Sequence, residues 1–271
     1  MAIETEAIVV SNRKIQSVYF RLEIRCPPIV QRIEPGQFVM LRVAQTSSFL
    51  LRRPFSVYRT LSARHPGGSR KGRLVLIYKK VGKGTEKMTA LKEGETVDVI
   101  GPLGNGFLLP PLPSSANIVL IGGGVGIVSL YSLAETLKAG NLSVFVGGKT
   151  KQDVLCVKDF RKLKATVFTA TEDGSLGFKG TVIDLFRSEK RKFKGNGVCH
   201  VYACGPMAML KELSKTVRSK RFISQASLET RMACGFGACY GCVVKTRDPE
   251  TPYLRVCKEG PVFDLRKIVW E

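Results

Sequence analysis

This 271-residue chain has little histidine, and little acid for its base. It holds two histidines, His65 and His200, and 22 Asp and Glu against 43 Lys and Arg. His65 stands in a basic Pro/Gly loop and reads as a surface residue; His200 falls inside a predicted strand and reads as a core or strand residue. No Ser-His-Asp grouping, no H-E-x-x-H and no paired-carboxylate arrangement occurs. Acid–base and metallopeptidase chemistry of those kinds is therefore excluded. The chain also lacks an uninterrupted apolar span. Its uncharged stretch between Asp98 and Glu135 has an apolar centre from Ile118 to Ala134, but Gly122-Gly123-Gly124 and Gly126 lie at its middle, and a tight turn there splits it into a strand and a helix. No membrane span is expected. The opening Met1-Ala2-Ile3-Glu4-Thr5-Glu6 puts acids where a signal peptide has its basic region, so the expectation is an unprocessed, cytoplasmic protein.

What is abundant is positive charge, a formal +21. Such an excess suits nucleic acid, an anionic surface or phosphorylated ligands. It is spread over most of the chain before residue 223 instead of forming a basic arm. The densest run, Lys190-Arg191-Lys192-Phe193-Lys194, is short and reads as a solvated loop, not a nucleic-acid site.

Three textures divide the chain. Over residues 1–111, Ala7–Val10, Val18–Leu22, Phe38–Val43, Leu74–Tyr78 and Thr96–Ile100 read as short strands, separated by turns such as Glu34-Pro35-Gly36 and His65-Pro66-Gly67-Gly68. That pattern predicts an antiparallel β-barrel domain. Over residues 112–222, past the linker Pro110–Ser115, strands at Ile118–Ile121, Ser143–Val146, Ala165–Thr169 and Val198–Ala203 alternate with helical patterns at Ile127–Ala139, Gly180–Arg187 and Met207–Ser219. A parallel α/β domain is expected there, with Gly140 capping the first helix. Residues 223–271 form a Gly- and Cys-rich segment.

Four of the eight cysteines fall in that segment as Cys234-x4-Cys239-x2-Cys242-x14-Cys257. This is the plant-type spacing for a [2Fe–2S] cluster, three thiolates from one tight loop and the fourth from a returning segment. Gly235, Gly237 and Gly241 let the backbone curl inward and bring peptide N–H groups to the sulfurs. Structural zinc, which usually shows two short knuckles, is the main alternative, and free thiols or disulfides are the other.

Nucleotide signals are weaker. Arg53-Pro54-Phe55-Ser56 offers a cation, a rigid turn, a ring and a hydroxyl, although an Arg before a Pro is most often only a surface turn. The strand Leu74–Tyr78 leads into Val81-Gly82-Lys83-Gly84-Thr85, a strand-to-helix turn whose backbone N–H groups suit an anion. Together the two segments suit a flavin pyrophosphate clamped by Arg53 and Gly84-Thr85. The glycine run Gly122-Gly123-Gly124-Val125-Gly126 lies between strand and helix but departs from G-x-G-x-x-G, since position 127 is Ile. It reads either as a nucleotide loop or as a packing turn. Cys204, at the end of a strand, reads by itself as a buried structural thiol.

Taken in order, Arg53-Pro54-Phe55-Ser56, Gly82-x-Gly84-Thr85, Gly101-Pro102-Leu103-Gly104-Asn105-Gly106-Phe107, the glycines at 122–126 and Cys204-Gly205-Pro206-Met207 resemble the ferredoxin-reductase flavoprotein superfamily. The segment Cys234–Cys242 with Cys257-Lys258-Glu259-Gly260-Pro261-Val262-Phe263 is similar to the electron-transfer subunits of class 1B dihydroorotate dehydrogenases. The resemblance implies FAD at Arg53, Pro54, Phe55, Ser56, Ile77, Tyr78, Lys79, Gly84 and Thr85. It implies NAD at Gly122, Gly123, Gly124, Gly126, Cys204, Gly205 and Pro206, and the cluster at Cys234, Cys239, Cys242 and Cys257. It further implies hydride exchange between NAD(H) and FAD, single electrons passed through the cluster, and an FMN-containing catalytic subunit that oxidises dihydroorotate as partner in a hetero-oligomer. The absence of those catalytic arrangements agrees, because cofactors carry this chemistry while protein orients them. Glu172-Asp173 would repel a 2′-phosphate and favour NAD over NADP; Lys149 and Lys151 pull the other way. Two rival readings are a related NAD(P)H-dependent subunit of a hydrogenase or sulfur reductase, and a basic zinc module that binds nucleic acid.

Overall fold

The computed structural model describes residues 2–42, 51–64, 70–111, 116–137, 141–193 and 198–270. Val43, His65–Gly68, the linker residues 112–115, Lys138–Gly140 and Lys194 lie outside the described residues.

The first hundred residues form β1 (Ile3–Gln16), β2 (Tyr19–Arg25), α1 (Pro27–Val30), β3 (Phe38–Arg42), β4 (Arg53–Ser56), β5 (Arg59–Arg64), β6 (Arg70–Lys79), α2 (Lys83–Met88) and β7 (Thr96–Leu103). Burial along β7 alternates strictly, with Val97, Val99, Gly101 and Leu103 inward, the signature of a strand with one face on a core. The seven strands join antiparallel in the order β4-β3-β7-β1-β2-β6-β5. The sheet curls into a half-barrel over Leu22, Ile24, Val39, Leu41, Leu74 and Leu76. The Arg53–Ser56 segment, which could have been a turn, is an edge strand; Pro54 is tolerated there because an edge position needs no ladder N–H.

The second half supplies β8 (Asn117–Gly123), α3 (Ser129–Leu137), β9 (Asn141–Gly148), α4 (Val157–Lys162), β10 (Thr166–Thr171), β11 (Phe178–Lys179), α5 (Val182–Glu189), β12 (Cys199–Cys204), α6 (Met207–Thr216), β13 (Phe222–Ser227), β14 (Val243–Lys245), β15 (Tyr253–Arg255) and β16 (Val262–Asp264). Its main sheet runs β11-β10-β9-β8-β12-β13-β16. All neighbours are parallel except the last pair, in which β16 returns antiparallel to β13. Ile118 to Ile121 and the whole of β12 are buried, the continuous apolar run expected where both faces of a parallel sheet are covered. The helix expected from Ile127 begins as a 3-10 turn at Gly124–Val128 and becomes α-helical at Ser129. A six-residue helix, α4, and the strands after Arg221 are additions that the sequence pattern does not announce. No helix among the described residues is long and apolar enough to cross a membrane.

The two halves are clamped together by polar contacts. Tyr19 Oη donates to Asp153 Oδ1 at 2.6 Å, and Lys79 Nζ lies 3.2 Å from the same oxygen. Gln16 Nε2 donates to the Gln152 carbonyl at 2.8 Å. The Tyr58 and Tyr131 rings stack 4.5 Å apart, with Tyr58 Oη donating to Asp159. Burial pushes the Asp153 carboxyl up, but the Tyr19 hydroxyl and Lys79 outweigh it and hold it below its ordinary value of 3.8. The folded state thus favours the ionised form, giving stability that is present above that value and lost as pH falls through the depressed one. Asp153→Ala is expected to cost about 2 kcal/mol at neutral pH, the usual scale for hydrogen bonds to a charged group. In denaturant titrations the gap from the parent should close as pH drops below the ordinary carboxylate range. A gap independent of pH would contradict the ion-pair account.

Candidate functional site

Two cavities meet where the half-barrel faces the parallel sheet. The first, about 400 Å³, gathers Arg53, Pro54, Phe55 and Ser56 from β4, Ile77, Tyr78 and Lys79 from the end of β6, and Thr85 from α2. These come together because β3 and β4 pair at one end of the sheet while β6 brings its last residues to the same side. Gly84 stands behind them. A Cβ there would sit 2.4 Å from Arg53 Nε, so the absence of a side chain is what lets the guanidinium lie against this turn. The Thr85 hydroxyl accepts from the backbone N–H of Val81 at 2.9 Å and of Gly82 at 3.1 Å. Two N–H groups that the sequence alone leaves open to an anion are therefore taken by the turn itself. Phe20 stacks on Tyr78 and Phe55 meets it edge-on, fixing an aromatic wall.

The opposite wall comes from Ser227, Leu228, Glu229, Thr230 and Met232, which follow β13, and from Val125 and Val128. No sequence motif marks the Ser227–Met232 stretch. The Thr230 hydroxyl is buried, and among the described residues nothing hydrogen-bonds to it. A buried hydroxyl without a partner is costly, and a polar ligand in the cavity would relieve it.

The second cavity, about 580 Å³, is lined by Gly123, Gly124, Val125 and Gly126, by Gly205 and Pro206, and by residues from the ends of β9, β10 and α5. Both volumes are in the range of small-molecule sites. Gly122 and Cys204 do not reach the cavity but stand behind it. A Cβ on Gly122 would meet Ile127 at 2.5 Å, and one on Gly126 would meet the Cys204 carbonyl oxygen at 2.6 Å. The Ile that breaks the sequence fingerprint therefore packs over the first glycine. Burial drives the Cys204 thiol well above its ordinary range, followed by the charge of Glu229. This thiol is held protonated, consistent with a packing role.

At the far end of the cavity Glu172 and Lys149 line the wall, whereas Asp173 and Lys151 do not. Asp173 is turned to Ser175, whose backbone N–H and hydroxyl both donate to it. Lys79, Val125 and Glu229 line both cavities and mark their junction. Glu229 is exposed at this junction, its carboxylate accepts from Cys204 Sγ at 3.9 Å, and partial desolvation raises its carboxyl above the ordinary value.

The cysteine loop adjoins the first cavity, with Met232 two residues ahead of Cys234. Gly235 and Gly237 take φ of +81° and +92°, conformations that penalise any side chain. A Cβ on Gly235 would sit 2.6 Å from Met40 Cγ of β3, so the loop is seated directly on the half-barrel. The sulfurs approach in two pairs. Cys239 N–H donates to Cys234 Sγ and Cys257 N–H to Cys242 Sγ, each at 3.4 Å. Burial pushes the Cys234 thiol up, but the N–H groups of Cys239, Phe236 and Ala238 and the Cys239 side chain bring it down to about 6. Cys257 is pushed up to about 12, by burial first and then by Cys242 and Cys234 nearby. Among the described residues no three Cys, His, Asp or Glu side chains converge on a single ion. Two pairs of thiols suit two irons better than one zinc.

Comparison with known proteins agrees with this geometry. Residues 229–269 match the model for the iron–sulfur cluster binding domain of dihydroorotate dehydrogenase B, and residues 120–215 that for an oxidoreductase NAD-binding domain. The dihydroorotate dehydrogenase B (NAD+) electron transfer subunit of Desulforamulus reducens is 39% identical over 97% of this chain and 99% of its own. The chain belongs to the family of dihydroorotate dehydrogenase B electron transfer subunits. Its counterpart from Geobacillus thermodenitrificans is 38% identical, covering 96% of each chain. A solved NADH-dependent reduced ferredoxin–NADP oxidoreductase, described for flavin-based electron bifurcation, superposes with a TM-score of 0.80 at 31% identity, over 97% of this chain and 90% of that one. A ferredoxin NADP+ reductase from Neisseria gonorrhoeae with bound FAD and NADP shares the fold, with a TM-score of 0.65 at 15% identity over 83% of this chain and 99% of its own.

The family's cofactors fit the residues present. Cys234 with Cys239 and Cys242 with Cys257 supply the four thiol donors of a [2Fe–2S] cluster, an aromatic-walled cavity with Arg53 and an unpartnered hydroxyl suits FAD, and a glycine-lined crevice at the carboxyl ends of parallel strands suits NAD.

Proposed function

We propose that this chain carries electrons between NAD(H) and an FMN-containing catalytic subunit that oxidises dihydroorotate to orotate, acting in the cytoplasm as part of a hetero-oligomer. The observation that carries this reading is contiguity. The two cavities share Lys79, Val125 and Glu229, and the strand-end segment Ser227–Met232 that walls the first runs directly into the cysteine loop. Bound FAD supplies the exchange between a hydride carrier and a one-electron carrier, which the cluster provides. The protein's own part is positional. Arg53 and the Gly84-Thr85 turn hold the anionic part of the flavin nucleotide. Tyr78 and Phe55 fix its plane, and Gly123–Gly126 with Gly205-Pro206 let a dinucleotide approach the backbone closely.

The test is absorption and EPR spectroscopy on anaerobically purified protein before and after NADH, together with co-purification. Bleaching of flavin absorption with a reduced-cluster signal, and recovery of a dihydroorotate-oxidising chain, are expected. A colourless protein, or one containing zinc without iron, would overturn the proposal. A second reading, a subunit reducing another iron–sulfur partner, draws on the similarity to the ferredoxin–NADP oxidoreductase. Recovery of a different redox chain would favour it.

For the dinucleotide we propose NAD over NADP, because Glu172 lines the cavity where a ribose 2′-phosphate would bring like charge. Glu172→Lys is expected to shift the ratio of kcat/KM for NADPH over NADH upward by roughly tenfold, equivalent to about 1.4 kcal/mol. An unchanged ratio would remove Glu172 from this role.

A further inference from the structure

A third concavity, of about 510 Å³, shares no lining residue with the other two. It is walled by Lys211, Lys215 and Arg218 on one side, Arg247 and Arg266 on the other, and Trp270. No carboxylate is among its lining residues. The cations come from three separated stretches of the chain. Lys211 and Lys215 are one helical turn apart on α6, with Arg218 just past its end. Arg247 and Arg266 are brought opposite by the cluster segment, where Arg247 N–H bonds the Lys267 carbonyl and Val269 N–H the Lys245 carbonyl.

This gathering runs against the fold's own electrostatics. Like charges four residues apart on a helix destabilise it, and no carboxylate lines the walls to offset them, as Glu4 and Asp98 offset Arg52 elsewhere. Here Lys215 pairs with Glu212 and Arg266 with Asp264, but among the described residues Lys211, Arg218 and Arg247 have no ion-pair partner. The sixth wall is aromatic. Trp270 donates its indole N–H to the Leu265 carbonyl at 3.0 Å, which spends its polar edge and fixes the ring.

We propose that this concavity is a binding site for a polyphosphate group, whether free or carried by a nucleotide. Several oxygens on one compact anion can engage cations from both walls at once, which scattered carboxylates cannot. The volume accommodates a ligand of nucleotide size. The site is independent of the electron-transfer reading, since it uses none of that machinery.

The chain's single tryptophan makes the test direct. The full-length, cofactor-loaded protein, with saturating NAD+ to block the dinucleotide cavity, is titrated with ATP and separately with inorganic tripolyphosphate, following Trp270 emission and, independently, heat by calorimetry. Saturable binding of either compound, weakened by salt and roughly tenfold or more by the double substitution Arg218→Ala with Arg247→Ala, is expected. Tighter binding of ATP would assign the source as a nucleotide, and equal binding as free polyphosphate. Flavin and cluster absorption in the variant guards against misfolding. Absence of saturable binding, or equal affinity in the variant, would overturn the proposal. So would binding of duplex DNA with neither phosphate compound bound.

Discussion

Cys257→Ser is expected to remove the [2Fe–2S] signal and to lower electron delivery to a one-electron acceptor by about 100-fold or more, while leaving flavin reduction by NADH within about twofold. The scale follows from outer-shell changes alone commonly costing 10–100-fold at metal sites; here a ligand itself is lost. Cys257 is 2% exposed and sits in the same core as Cys242, Val244 and Val256. The loop around it is anchored independently of its sulfur. Val256 N–H bonds the Cys242 carbonyl at 3.0 Å, and Arg255 pairs with Glu259 while donating to the Gly237 carbonyl at 2.8 Å. Serine therefore changes the donor atom with little change to the scaffold, and the first cavity, whose lining does not include residue 257, is spared. The control is Tyr240→Ala. That ring is 61% exposed and rests on the Arg255 guanidinium, 4.4 Å from it, outside the sulfur pairs. Its removal should leave the signal in place. EPR at matched protein concentration, with iron and sulfide analysis, decides the matter: an unaltered spectrum in the serine variant would mean that Cys257 is not a ligand.

The cysteine loop is legible in the sequence because its information is local. Spacing between thiols, and glycines of which Gly235 and Gly237 prove to have positive φ while Gly241 does not, are properties of one short stretch. The β4 and β6 residues of the first cavity are legible for a similar reason, each lying in a compact motif. Its other wall is not. Ser227–Met232 carries no motif, and it reaches the cavity only because β13 pairs with β12 and is flanked in turn by β16, an antiparallel return from farther down the chain that periodicity does not reveal. The clamp between the halves is hidden likewise, since Tyr19 and Asp153 are far apart in sequence and meet only by packing. The net positive charge, which counted along the chain lies almost wholly before residue 223 and forms no arm, gathers locally where α6 and the C-terminal tail fold beside each other. His200 behaves as its apolar neighbours suggest. It is 7% exposed in β12, and burial lowers its imidazole below the ordinary value, so it is held neutral in the core.

Gly126→Ala is expected to lower reactivity with NADH by about 100-fold while the flavin and cluster spectra persist. The glycine run could have been a nucleotide loop or a packing turn, and the structure gives its members different reasons for lacking a side chain. At Gly126 an added Cβ would stand 2.6 Å from the Cys204 carbonyl oxygen, 2.7 Å from its carbon and 2.8 Å from the Gly205 Cα. All three are backbone atoms at the end of a buried central strand, so no rotamer change can make room. Overpacking of this kind costs typically about 1–3 kcal/mol, and the relief available is to push the loop away from the Cys204-Gly205-Pro206 turn. Both segments line the second cavity, the one proposed for the dinucleotide. A shift of about 1 Å between groups that position a reactant can cost about 100-fold. At Gly123 the nearest atom to an added Cβ is Met209 Sδ, at 2.7 Å, with Pro206 Cδ at 3.0 Å. A flexible thioether can swing aside, so Gly123→Ala should lose less than Gly126→Ala. Stopped-flow reduction by NADH, with thermal melting in parallel, separates lost reactivity from lost fold. If the two variants behaved alike, the backbone contact between the glycine loop and the end of β12 would not be what sets the cavity's shape.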